Sequence, residues 1–415
     1  MSRHRAAAAG IALLALIVTG CSGDPMPTPS PSASPSPTAE GPFGDGELRI
    51  GTLVPITGAD AGIGLAQVAG VELAVREINE AGGVNGQPVV TFHRDSGDAT
   101  SDKAIEAFAE LVERGVDVVI GPSSLDLAIK LAPLAVESGV MLISPSISDP
   151  AAGAIAADGL FARTLPSARG DGSGIAAQLP PRSRVAVVYF SDDTGRGIRD
   201  SLAEGLAATQ SVVVSTIALT PTMRNAETIV SQLRAADADF VVYAGSAGRS
   251  AQNTLILAAL AEAGLATTVW LSSSLIGAYD VPVGALEGVS AVRAGGVTDA
   301  AFAARLRTAD PRVTNWYTGA ESYDAVILAA LAAVVADDDG GVAIARALGG
   351  VSRDGIPCLS WGHCLHVLDT ADALGNDIDY QGRSGPIDLS NRGDAAQSHY
   401  SVWMFDASNV ARPVP

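Results

Sequence analysis

The sequence predicts an α/β protein made of two similar, doubly wound lobes of parallel sheet. Three observations carry this prediction. From Leu48 onward, β-branched apolar runs bounded by Gly, Pro, Ser or Asp alternate with longer stretches of helical periodicity, the pattern of βαβ units. The runs are apolar at successive positions, as strands are when helices cover both faces of their sheet. The plan also recurs along the chain: Arg184 to Tyr189 answers Leu48 to Leu53, Asp239 to Ser246 answers Asp117 to Ser124, and Val269 to Ser274 answers Met141 to Ser146. With 415 residues, 47% of them hydrophobic and 17% charged, the chain has enough apolar surface to build a sizeable core.

Taken in order, the first half reads as a strand over Leu48 to Val54, a helix over Gly64 to Ala81, a strand over Val89 to His93, a helix over Ser101 to Arg114, a strand over Val116 to Ile120, a helix over Leu125 to Ser138 and a strand over Val140 to Ile143. In the first helix Leu65, Val68, Val71, Val75 and Ile78 recur at steps of three and four, so one face packs on the sheet, and Gly82-Gly83 ends it. Each repeated strand runs into a small polar cluster. Ligands of open parallel sheets bind outside the carboxyl ends of the strands, so two facing lobes would form a cleft lined by Ser, Thr and Gly.

The N-terminus reads as a targeting signal. Arg3, His4 and Arg5 precede the apolar run Ala6 to Val18, which is too short to span a membrane and ends in the small residues before Cys21. Val18-Thr19-Gly20-Cys21 resembles a lipobox, in which the cysteine becomes the lipid-bearing first residue of the mature chain, so residues 1–20 are assigned as signal peptide. Residues 21–46 follow as a Pro- and Ser-rich tether, extended at about 3.1 Å per residue wherever it adopts polyproline geometry. Cys358 and Cys364 remain as one pair in an oxidising compartment and are expected to form a disulfide. His363 and His366 lie nearby, but their spacing matches no standard zinc pattern, and no metal is expected.

Chemistry motifs are sparse. Lysine occurs only at Lys103 and Lys130, neither after a Gly-rich turn, which argues against a phosphate loop. There is no Gly-x-Ser-x-Gly elbow, and Asp95 with Asp98 reads as a solvated turn rather than an acid–base pair. A net charge of −19 speaks against nucleic acid as a partner. The expectation is a binding protein with neither enzymatic activity nor cofactor.

Ile50-Gly-Thr-Leu-Val-Pro-Ile-Thr-Gly58 and Gly70-Val-Glu-Leu-Ala-Val-Arg-Glu-Ile-Asn-Glu-Ala-Gly-Gly-Val-Asn-Gly86 resemble the opening of the leucine/isoleucine/valine-binding protein family, the type I periplasmic binding proteins of branched-chain amino-acid ABC transporters. The resemblance continues through Val119 to Ser124, Gly139 to Pro145, Phe161-Ala-Arg-Thr164, Gly195-Arg-Gly197 and Tyr323-Asp-Ala-Val326. It ends in Ile378 to Leu389 and Gly393-Asp394, a tail similar to actinobacterial members. It implies two lobes joined by three crossovers: residues 47–164 with 278–386, and residues 165–277 with 387–415. It also implies a lipid-anchored protein outside the cell that passes a small polar solute to an ABC permease, or alternatively one that reports the solute to a membrane receptor or kinase.

Carried over one at a time, the family's ligand contacts fall on Ser123 and Ser124, where a helix opens, on Ser146 and Ser148, and on Tyr323 as an aromatic pocket wall. Thr194, Ser246 and Ser274 take positions where the family carries Tyr, Tyr and an acid, and Ile63 stands near a further aromatic position. A ligand ammonium would then need Asp192, Asp193, Glu321 or Asp324, since an unpaired buried charge costs several kcal/mol. The ligand need not be an amino acid.

Overall fold

The computed structural model describes residues 44–58, 61–98, 102–156, 159–220, 222, 225–245, 249–370, 378–390, 393–395 and 399–414. The signal, Cys21, nearly all of the tether and Ser246 lie outside the described residues. The part of the tether assignment that falls inside them is docked on the folded body: Gly44 N donates to Asp338 Oδ1 (2.9 Å) and Gly46 N to Asp339 Oδ1 (3.1 Å).

The chain begins as expected: β1 (Arg49–Val54), α1 (Ala61–Glu80), β2 (Val90–Asp95), α2 (Lys103–Glu113), β3 (Val118–Ile120), α3 (Leu125–Ser138), β4 (Met141–Ser144), α4 (Ala152–Ile155) and β5 (Phe161–Arg163). The five strands form one parallel sheet in the order β2-β1-β3-β4-β5. Successive strand residues serve opposite faces. Ile50, Val118, Ile120 and Ile143 enter the core on one side, and Leu53, Val119 and Leu142 pack with Phe108 and Leu131 on the other. Helix α3 is stopped by Gly139, whose φ of 72° lies in the left-handed region.

The second unit runs α5 (Asp171–Ala176), β6 (Arg184–Phe190), α6 (Asp193–Ala208), β7 (Val212–Leu219), α7 (Ala226–Ala236), β8 (Phe240–Ala244), α8 (Ser250–Glu262), β9 (Val269–Leu271) and β10 (Ser290–Ala294). The chain then returns to the first core with α9 (Ala300–Ala309), α10 (Gly319–Ala336), α11 (Gly341–Ala347), β11 (Ile356–Cys358), α12 (Trp361–Thr370) and β12 (Ile378–Tyr380). It finishes in β13 (Tyr400–Phe405) and β14 (Ala411–Pro413). The second sheet has seven strands in the order β14-β13-β10-β9-β8-β6-β7, parallel except for the antiparallel β10–β13 and β13–β14 pairs.

Two crossings depart from expectation. Strand β10 lies in the stretch 278–386 assigned to the first lobe, yet it pairs with β9 and β13 in the second sheet. Ile387, Leu389 and Ala395 lie in the stretch assigned to the second lobe, yet they belong to the first core. A short apolar strand carries no label for its sheet; the free edge of β9 decides where β10 pairs.

Helix α10 is long and apolar enough to cross a membrane, with a mean hydropathy of 1.5, but 83% of that window is buried against the neighbours that form the first core. Its approach to α1 is close: a Cβ at Gly70 would lie 2.2 Å from the Gly319 carbonyl oxygen. Cys358 and Cys364 are both buried and form the expected disulfide, tying β11 to α12.

Candidate functional site

In the first sheet the loops after β3 and β4 converge. Ser123 Oγ donates to Gln67 Oε1 of α1 (2.8 Å), Ser146 Oγ to the Ser123 carbonyl (3.5 Å), and Ser144 Oγ to the Pro122 carbonyl (2.8 Å). The Gln67 side chain is buried, and its Nε2 has no partner among the described residues. Ser124 is the N-cap of α3 and accepts from Leu127 N, so its hydroxyl is already engaged. Ser148 meets the first crossing, its carbonyl accepting from Ala168 N at 2.7 Å.

In the second unit Thr194 sits half-buried in the first turn of α6, which Asp192 caps. Ser274 Oγ donates to the Gly245 carbonyl (3.0 Å) and lies 3.4 Å from Ser272 Oγ. Beside it Asp171 is fully buried. Its Oδ2 accepts from Ser273 N (2.8 Å) and Ser273 Oγ (2.7 Å), while its Oδ1 has no partner among the described residues. Burial pushes this carboxyl up to about 7, against the two Ser273 hydrogen bonds.

Tyr323 departs from its expected role as a pocket wall. Its ring is fully buried in the first core, edge-on to Phe302, and its hydroxyl donates to Glu77 Oε2 (2.7 Å). It lies on the face of α10 that meets α1 and α9.

The four carboxylates offered as ammonium partners have different fates. Asp192 accepts from Gly195 N, and Asp193 pairs with Arg196. Both oxygens of Asp324 are taken, by Tyr380 OH, Arg383 N, Ser384 N and Ser384 Oγ. Glu321 is buried but makes no hydrogen bond to another side chain among the described residues. It lines a cavity of about 330 Å³ where the end of β10, the segment before α10 and β13–β14 come together. Burial pushes the Glu321 carboxyl up to about 7; Asp324 adds to this, and Arg293 opposes it. Gly295 lets the chain pass over it, because a Cβ there would lie 2.8 Å from Glu321 Oε1.

Sequence reasoning missed the other charge on this cavity. Arg293 of β10 lies between two rings, its guanidinium carbon 4.2 Å from the Tyr317 centroid and 4.3 Å from that of Trp403. None of the serine positions lines this cavity. An arginine in a short strand gives no local signal of what it faces; only the pairing of β10 with β13 brings Trp403 to it.

No catalytic arrangement emerges among the described residues. His93 bridges Thr52 Oγ1 and Glu72 Oε1 at 2.8 Å each, in the order of a hydroxyl relay, but Thr52 is fully buried. Asp95 holds Lys103 and the loop amides of Ile56 and Gly97.

Residues 47–364 match the family model described as periplasmic binding protein. The chain is 28% identical over 228 residues to Leu/Ile/Val-binding protein homolog 3 of Brucella melitensis, a match covering 54% of this chain and 60% of that relative. It is 28% identical over 386 residues to the chemotactic signal transduction system substrate-binding protein BasB of Halobacterium salinarum, covering 88% of each. Among solved structures, an ABC transporter substrate-binding protein of Desulfitobacterium hafniense in complex with Leu shares the fold, with a TM-score of 0.64 at 20% identity over 89% of this chain and all of that one.

Proposed function

The chain belongs to the periplasmic binding protein family, and from that premise we propose that it is an extracytoplasmic, lipid-anchored solute-binding protein that captures a small polar solute between its two sheets and delivers it to an ABC permease. A branched-chain amino acid, an amide or a related compound is the solute class. The observation that carries this reading is the family match across both sheets, together with polar loops at the carboxyl ends of the strands. The chain crosses between the sheets after β5, after β10 and before β13, so the two units can close on a ligand by hinge motion about three short segments. Ser123 and Ser146, which lie on adjoining loops, are the ligand contacts on the first side, with Thr194, Ser246 and Ser274 on the second. Cys21 carries the lipid, and the segment after it tethers the folded body.

The test is calorimetric titration of the purified chain with leucine, isoleucine, valine, short amides and small carboxylates. Saturable binding of at least one of them, weakened tenfold or more by S123A with S146A, is expected. If none binds, the transport reading falls.

A further inference from the structure

We infer that the cavity at the sheet junction is an anion site in which Arg293 anchors the carboxylate of a small organic acid from the second-sheet side. This deepens the solute-binding reading and rests on it. Three observations carry it.

First, among the described residues the guanidinium of Arg293 makes no hydrogen bond or salt bridge, and it lies against the ring faces of Tyr317 and Trp403. Ring stacking satisfies the faces of a guanidinium and leaves its N–H edge free, and five donors in a fixed fork match a carboxylate. Burial draws the Arg293 group down from its ordinary value, and the through-space attraction of Tyr317 and Glu321 only partly opposes this. Second, Glu321 lines the same cavity and acts on Arg293 through space, but no salt bridge joins the two among the described residues, so the donor edge of the guanidinium stays open to a ligand. Third, the remaining walls are those of a binding pocket. Trp316, Val297 and Pro413 supply apolar surface, Thr298 and Asn315 polar groups, and about 330 Å³ accommodates a ligand of roughly ten heavy atoms.

The rings hold the fork flat and pre-oriented, so little rotamer entropy is lost when a carboxylate binds. A lysine at this position would have neither the stacking nor the two-point geometry. Recognition in this cavity, which none of the serine positions lines, is therefore by charge and shape together.

The probes are benzoate and its neutral isostere benzamide, titrated calorimetrically into the full chain and followed in parallel by tryptophan fluorescence, since Trp316 and Trp403 both line the cavity. Benzoate is expected to bind saturably, to alter the fluorescence and to bind at least tenfold more tightly than benzamide. R293Q should bring the two probes to within about twofold of each other. R293K, which keeps the charge, serves if R293Q does not fold, and should still weaken benzoate severalfold. Benzamide binding as tightly as benzoate, or benzoate affinity unchanged in both variants, overturns the inference. If leucine binds and depends on Ser123 while R293K leaves it untouched and benzoate does not bind, the solute-binding reading stands and the anion site falls. If no amino acid, amide or carboxylate binds, both fall.

Discussion

At the residue scale, raised carboxyls set the pH response, among them the buried Asp171, Glu321 and Asp324 and the half-buried Asp117. Burial raises Asp171, Glu321 and Asp117 to about 7, in each case against partly compensating partners. A carboxyl raised above its unfolded value binds its proton more tightly in the folded chain, so it destabilises the fold progressively as pH rises through the range from about 4 to 7. Asp95 and Asp406 act in the opposite sense. Lys103 and Thr57 hold Asp95 below the usual carboxylate range, with burial working against them, and Ser408, Val410 and Arg412 do the same for Asp406. Their contribution is present above about pH 4 and lost below it. Stability should therefore peak on the acid side of neutrality, with Tm several degrees higher at pH 5.5 than at pH 8 by calorimetry. D171N keeps an acceptor for Ser273 and removes the titration, so it should shrink that difference; an unchanged pH profile would show that Asp171 is not a source of it. Part of this scale was legible in the sequence: Ser123 and Ser146 read as serines that follow strands, and because those strands are neighbours their loops adjoin. Tyr323 was not, because a tyrosine in a motif can face either the junction or the core, and only the packing of α1 and α9 against α10 decides which.

At the element scale, the α1–α10 contact is where glycine matters. Glycine weakens a helix interior, so its presence at Gly70 needs a compensating reason, and the closeness of Gly319 and Tyr323 supplies it. A side chain there forces the helices apart. G70V is expected to cost about 3 kcal/mol and to lower Tm by several degrees, read by thermal unfolding. A neutral result would mean that α10 can shift without loss of packing. The apolar pattern of α10 shows only that it is covered on all sides, because a uniformly apolar helix has no face by which to tell a protein core from a bilayer. Strand β10 makes the same point. Its residues read as a strand, but its sheet is chosen by the open edge beside β9 and by β13 arriving from more than a hundred residues later.

For the whole molecule, the proposed function assigns export and anchoring to the N-terminal segment and binding to the folded body. C21S should leave the folded body intact and shift the protein from the membrane fraction to the soluble extracytoplasmic fraction, scored by fractionation and immunoblot; continued membrane association would remove the lipid anchor from the model of function. The repeated strand-and-helix plan was written along the sequence because periodicity, glycine stops and apolar runs are local, and they sufficed to predict two α/β lobes; the family came from the resemblance of motifs such as Ile50 to Gly58 and Gly70 to Gly86. The lobe boundaries were not, since the chain crosses back after β10 and again after Ala395 at points fixed by strand pairing and core membership. The sequence by itself determined the elements of the first half, the repeat of its strands in the second, the class of fold and the polar clusters at the strand ends. Only the tertiary structure decided that Tyr323 is core, that Asp324 is fully engaged, and that Arg293 lies between Tyr317 and Trp403 on an open cavity. Those outcomes depend on which residues, far apart in sequence, come to share a surface, and local pattern does not encode it.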